Sequence, residues 1–225
     1  MFPLKDSIPS RSFPFVNCLI ITTNIIVFIY ELSLGNKLSI FLLDYGFIPE
    51  KFFAPLSIVS IPEKFLPVFT SMFIHGGWLH IIGNMYFLYI FGDNIEDRLG
   101  HMRYLFMYII FGLAAVITQT VLFPEMNMPT VGASGAIAGV MGAYFIFFPH
   151  AYIKTLVILF IFVTIIDVPA IIFIGLWFFI QFMSGSLQTM AGSSGGIAWW
   201  AHIGGFVAGF VYAACLVSKN SRRRL

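Results

Sequence analysis

Gly132-Ala133-Ser134-Gly135-Ala136-Ile137-Ala138-Gly139-Val140-Met141-Gly142 is an apolar run that opens on a serine and carries Gly135 and Gly139 in small-xxx-small spacing. Such spacing lets a second helix backbone approach closely. Further along, Ala201-His202-Ile203-Gly204-Gly205 opens another apolar run, and Gly209 repeats the spacing after Gly205. Glycine spacing alone marks ordinary helix packing. Two such helices, headed by a residue that can act as nucleophile and one that can act as base, suggest chemistry instead.

The rest of the chain says what surrounds these helices. Of its 225 residues, 59% are apolar and only 10% charged, with 27 phenylalanines, a composition that fits a polytopic membrane protein rather than a soluble core. Charge-free stretches lie between Arg11 and Glu31 and over Phe65–Gly92, Tyr104–Pro124, Met126–Ile153 and Val168–Ser218. A helix needs about 20 apolar residues to cross the hydrocarbon, so each stretch holds at least one span. The last is too long for one helix and is interrupted at Ser184–Gly196, which reads as a loop. Six spans are expected in one membrane domain over 1–225: Phe13–Tyr30, Val68–Gly92, Arg103–Phe123, Ser134–Phe148, Val168–Met183 and Ile197–Val217. The first stretch is of full span length and lacks an Ala-x-Ala exit, so it is expected to stay as the first helix rather than act as a cleaved signal.

An even number of spans puts both termini on one side. With the termini in the cytoplasm, residues 1–12 and the basic tail 218–225 face inward, and so do Lys5, Arg11, Arg98, Arg103, Lys154, Lys219, Arg222, Arg223 and Arg224. Only Lys37, Lys51 and Lys64 then face out. That arrangement places Ser134 and His202 near the outer ends of their helices. The outer connection 32–66, with Pro49, Pro55, Pro62 and Phe52-Phe53, is too apolar for a solvated linker and reads as a partly helical interfacial loop. Thr155–Ile166, twelve apolar residues before Asp167 and Pro169, is short for a span. It reads as an interfacial piece, a re-entrant piece, or an extension of the fifth helix kinked at Pro169. Cys18 and Cys215 fall within spans and imply packing rather than a disulfide framework. The basic tail is an orientation signal and does not point to nucleic acid.

Span two adds His80-Ile81-Ile82-Gly83-Asn84, whose i, i+4 spacing puts both polar side chains on one helical face. Both can donate hydrogen bonds to the negative oxygen of a tetrahedral intermediate, as can the backbone N–H groups at the start of the Ser134 helix. A polar pair that merely joins helices is the rival reading. A zinc site is disfavoured because His-Glu-x-x-His is absent and no acid lies nearby. Asp167 falls on the side opposite His202, so the chemistry would run on a Ser134–His202 dyad without an acid. Aspartyl proteolysis finds no paired intramembrane aspartates.

Taken together, His75-Gly-Gly-Trp-Leu-His80-x-x-x-Asn84, Gly132-Ala-Ser134-Gly and Ala201-His202-Ile-Gly-Gly-x-x-x-Gly209 resemble the rhomboid family of intramembrane serine proteases over nearly the whole chain. The resemblance implies an all-α membrane protein with a six-helix rhomboid core, Ser134 as nucleophile and His202 as general base. It also implies an oxyanion hole from the Ser134 backbone N–H, His80 and Asn84. Substrates would be membrane proteins cut within or beside a transmembrane segment, with no metal, nucleotide or other cofactor. Two features depart from the family pattern. The Trp-Arg pair that many members carry in the first outer loop is missing, with Lys64-Phe65 a poor stand-in, and Ala138 stands where some members stack an aromatic under the histidine.

The other polar residues receive structural readings. His75 would shape the entry to span two, Glu96 would bind a neighbouring helix or loop, His101 and His150 would sit at cytoplasmic ends, and Trp199 and Trp200 at the interface. A non-catalytic rhomboid-like binder of transmembrane clients is the alternative function. A small transporter or channel is a third, weakened by the absence of internal repeats. A bacterial inner membrane is the expected location.

Overall fold

The computed structural model describes residues 2–159, 162–192 and 196–222. Arg223 and Arg224 of the expected tail, and residues 193–195 of the expected loop, lie outside them. The elements run β1 (Phe2–Asp6), α1 (Phe15–Ser33), α2 (Leu38–Tyr45), α3 (Pro49–Phe53), α4 (Ile61–Thr70), α5 (Trp78–Leu99) and α6 (His101–Leu122). Then follow α7 (Ser134–Phe147), β2 (Tyr152–Leu159), β3 (Phe162–Pro169), α8 (Ala170–Met190) and α9 (Trp199–Arg222).

Every expected span meets a helix, but they are not equally able to cross a bilayer. By length and composition α1, α6, α8 and Trp199–Lys219 of α9 qualify, and a fifth does if α5 is joined to the helical segment before it, from which it is bent by 74°. α7 has 14 residues, about 21 Å at helical rise and short of the roughly 30 Å hydrocarbon. Length and composition alone thus give four or five of the six expected spans among the described residues. α7 is the central helix. Ten of its residues, Gly135 to Tyr144, are buried, so α7 is walled by protein rather than by lipid.

Small residues make that central position possible. A Cβ on Gly205 would stand 1.9 Å from the Gly135 carbonyl oxygen, and one on Gly209 would stand 1.8 Å from that of Gly139. The two glycine pairs of α7 and α9 therefore meet in register, backbone on backbone. On the other side of α7, a Cβ on Gly139 would stand 2.3 Å from Cβ of Phe111 in α6.

At the opposite end, polar side chains close the bundle. The Glu96 carboxylate of α5 accepts from the N–H groups of Val16 (2.9 Å) and Asn17 (2.7 Å), satisfying free donors at the start of α1. Asn17 donates to the Leu88 carbonyl at 3.1 Å and accepts from the Tyr104 hydroxyl at 2.7 Å, tying α1, α5 and α6 together. Gly100, at φ +80°, makes the break between α5 and α6, and His101 bonds Glu96 across it.

Two expectations are corrected here. Thr155–Ile166 is not an extension of α8: its described residues, 155–159 and 162–166, belong to two antiparallel strands, β2 on β3, in register from Tyr152↔Pro169 to Leu159↔Phe162, and 160 and 161 lie outside the described residues. β-branched residues favour the extended chain, and Pro169 ends β3 where α8 begins. β1 pairs with β2, giving a sheet of order β1-β2-β3 beside the helical core. Its buried face includes Ile153 and Thr155, and Asp6 accepts from the Tyr144 hydroxyl of α7 at 2.6 Å. The second correction concerns Ser184–Gly196, where α8 stays helical to Met190. Gly185 lets α9 pack closely, and the Trp200 indole N–H donates to the Gly185 carbonyl (3.2 Å) and the Thr189 hydroxyl (3.0 Å). Ser184 to Met190 thus serve a helix contact, and the expected loop is confined to the connection after Met190, which begins with a turn at Ala191 and Gly192.

The connection 32–66 holds α2, α3 and the start of α4. Lys64 is a better anchor than Lys64-Phe65 suggested: its ammonium donates to the carbonyls of Phe52 (3.0 Å) and Ala54, while Lys51 donates to Leu43 at 2.9 Å. Lys64→Met removes charge-assisted bonds worth about 1–3 kcal/mol. Its expected result is a lower unfolding midpoint in detergent and faster amide exchange in α3, and an unchanged midpoint would deny Lys64 that role.

Candidate active site

The Ser134 hydroxyl and His202 Nε2 are 2.7 Å apart, although their residues are separated by 68 positions. The glycine contacts bring them together. Gly135 and Gly205 adjoin them on α7 and α9, so the first backbone contact between these helices lies within a turn of the pair. Each of the two residues is half-buried, and both line a cavity of about 830 Å³ together with His80, Asn84 and Gly132.

His80 reaches the same place from α5. Gly132 has φ +127°, and a Cβ there would stand 2.6 Å from His80 Nε2, so the imidazole lies against the backbone two residues before the serine. Glycine is required at that turn both for its dihedral and for the ring beside it. The Gly76 N–H approaches His80 Nδ1 at 3.4 Å. With Nδ1 accepting, the ring proton sits on Nε2, which then faces the site as a donor. Asn84 lies one helical turn beyond His80 on the same cavity wall. Its Nδ2 is buried and, among the described residues, has no hydrogen-bond partner. An unpaired buried donor is costly unless something engages it.

His75 adjoins the site without entering the cavity lining. Its N–H donates to the Glu31 carboxylate at 3.1 Å, and its buried ring meets that of His80 edge-on at 5.1 Å. It holds the entry to α5 against α1.

What the sequence did not reveal is the neighbour of His202. Gln181, buried on α8, places Oε1 2.7 Å from His202 Nδ1. The Trp177 ring lies 6.2 Å from that of His202 at a 30° tilt, on the same helix. Together with the Trp199 ring of α9, edge-on at 6.2 Å, they flank the imidazole in a chain with Ala138 on α7. The one available signal was a glutamine in the otherwise apolar stretch Val168–Met183, and nothing in the spacing linked it to His202.

The opening residues of α7 complete the arrangement. A serine hydroxyl hydrogen-bonded to a histidine, the first turn of a helix and the side chains of His80 and Asn84 line one cavity. These are residue types that acyl transfer can use.

Comparison with known proteins agrees with this architecture. A family model for the rhomboid domain matches residues 62–219. The mitochondrial Rhomboid protein 1 of Saccharomyces cerevisiae is 29% identical over 171 residues, covering 71% of this chain and 45% of the relative. The putative rhomboid protease YdcA of Bacillus subtilis is 35% identical over 75 residues, 33% of this chain and 37% of the relative. Inactive rhomboid protein 1 of Drosophila melanogaster is 30% identical over 89 residues, 40% of this chain and 6% of the relative. The matches thus span less than half the length of each of these relatives. A bacterial inner membrane is not singled out, because the yeast relative is mitochondrial by name. The multi-pass helical architecture is that of an integral membrane protein, and the chain belongs to the rhomboid family.

Proposed function

We propose that the protein is an intramembrane serine endopeptidase that cuts transmembrane segments of membrane proteins with a Ser134–His202 dyad. The observation that carries this reading is the 2.7 Å contact between Ser134 Oγ and His202 Nε2 in a cavity that His80 and Asn84 also line. His202 takes the Ser134 proton as the oxygen attacks the substrate carbonyl. The resulting oxyanion sits among the first N–H groups of α7, the His80 Nε2–H and the Asn84 amide. His202 then gives its proton to the leaving amine, and water releases the acyl group by the reverse sequence. No step needs a metal or a cofactor.

A helical peptide bond has its carbonyl engaged and is poorly presented to a nucleophile. Substrates with small or helix-breaking residues near the cut therefore fit this site best. Both termini are proposed to face the cytoplasm. The basic side chains of Lys5, Arg11 and Arg98 belong to segments that meet at the end of the bundle remote from Ser134, where the Ser12 hydroxyl donates to Asp97 at 2.7 Å.

The test is a single-span substrate with such residues in its outer half, co-reconstituted with the protein in liposomes. New termini should map within or beside the span, and a chelator should not change the rate. The second reading, a non-catalytic binder, draws on the Drosophila relative named inactive, and substrate recovered bound but uncut would favour it. His80→Ala or Asn84→Ala should each lower kcat by about 10- to 100-fold, because several donors share the oxyanion. Undiminished turnover in either would remove that residue from the role.

A further inference from the structure

We infer that Gln181 is the positioning residue of the dyad, an uncharged third member that selects the imidazole tautomer; the inference rests on the proteolytic reading above. His202 has two ring nitrogens, and only one arrangement serves a serine nucleophile. Nε2 must accept the Ser134 hydroxyl proton, so the neutral ring must carry its own proton on Nδ1. Gln181 Oε1, 2.7 Å from Nδ1, accepts from that N–H and holds it there. With the amide reversed, its NH₂ group would donate to Nδ1. The ring proton would move to Nε2, and Ser134 would face a donor.

The placement also fixes ring orientation. Gln181 is 6% exposed, so its amide is largely shielded from bulk water. It lies on α8 one turn beyond Trp177, whose ring flanks the same imidazole. Gln181 and Trp177 therefore hold the ring from α8, while Ser134 meets it from α7. Throughout the reaction the Nδ1 proton stays on His202. The amide takes no charge and no proton, and only the Nε2 proton travels, from serine to leaving amine.

A carboxylate would stabilise the imidazolium more strongly, yet a charge at this depth is expensive to hold when the ring is neutral. A neutral amide supplies the acceptor without that cost. Gln181 acts through His202 and does not touch the reacting atoms.

The test combines kinetics with the imidazole nitrogen chemical shifts of His202, its signals assigned by their loss in His202→Ala. In the wild type the shifts should report a protonated Nδ1. Gln181→Met, similar in length but without an acceptor, should lower kcat by about tenfold to a hundredfold with KM within about twofold, and its shifts should report a mixture of tautomers. Gln181→Glu keeps an acceptor and should recover most of the lost kcat. A wild-type ring protonated on Nε2, or a Gln181→Met variant with unchanged tautomer or kcat within twofold of wild type, overturns the assignment. Should Gln181→Met fail to fold, the wild-type tautomer and the Gln181→Glu kinetics still decide. If the wild type cuts nothing, the proteolytic reading falls, and the tautomer measurement judges the Gln181 contact separately.

Discussion

Ser134→Ala is expected to bring cleavage to background, a loss of about 10⁴-fold or more in kcat, with substrate still bound. The hydroxyl 2.7 Å from His202 Nε2 is the nucleophile that the proposed geometry offers the substrate carbonyl. Removing it leaves donors that can hold an oxyanion but nothing to form one. His202→Ala should fall nearly as far, because an unassisted serine hydroxyl is a weak nucleophile at neutral pH. The double variant should be no worse than either single one, since the two residues act as a unit. Cleavage of reconstituted substrate, followed by the appearance of new termini, measures all three. Losses that multiplied in the double variant would mean that the two side chains act independently.

The second large effect is structural. Gly209→Val is expected to prevent assembly of the bundle, because even its Cβ would stand 1.8 Å from the Gly139 carbonyl oxygen. A flexible side chain could yield, but two helix backbones cannot without separating α7 from α9. Overpacking a core costs about 1–3 kcal/mol where side chains adjust, so a clash between backbones should exceed that range. Ser134 and His202 would part with the helices, and activity and stability would be lost together. Gly83→Ala is the control, since nothing lies within 4 Å of a Cβ there. With alanine in mid-helix it should hold or raise stability by about 0.5–1 kcal/mol. Thermal unfolding in detergent separates the two cases, and a Gly209→Val protein as stable as the wild type would refute the backbone contact.

Much of this architecture is legible in the sequence, for identifiable reasons. Glycine spacing survives folding as geometry: Gly135 and Gly139 meet Gly205 and Gly209 in register, which fixes the approach of α7 and α9. The His80–Asn84 spacing carries the same kind of information, since a helix turns any i, i+4 pair to one face. Thr155–Ile166 resisted because a short apolar run has no period that separates strand from buried helix. Its pairing partner Phe2–Asp6 lies some 150 residues away in sequence. Ser184, Gly185 and Ser186 look like helix breakers, yet Gly185 exists for the indole of Trp200. Gln181 was hidden most thoroughly, because its meaning depends on α8 lying beside α9 at the height of His202. The anchoring of the first outer connection was hidden in the same way, since lysine ammonium bonds to backbone carbonyls leave no pairwise signature.

The central claim is that Ser134 is a nucleophile activated by His202, and covalent labelling tests it most directly. A fluorophosphonate probe added to the folded protein should modify Ser134 and no other serine, as read by peptide mass. Labelling should vanish in Ser134→Ala, fall sharply in His202→Ala, and disappear when the wild type is unfolded first. Folded protein that cuts its substrate yet carries no probe on Ser134, or carries it equally in His202→Ala, would contradict the account.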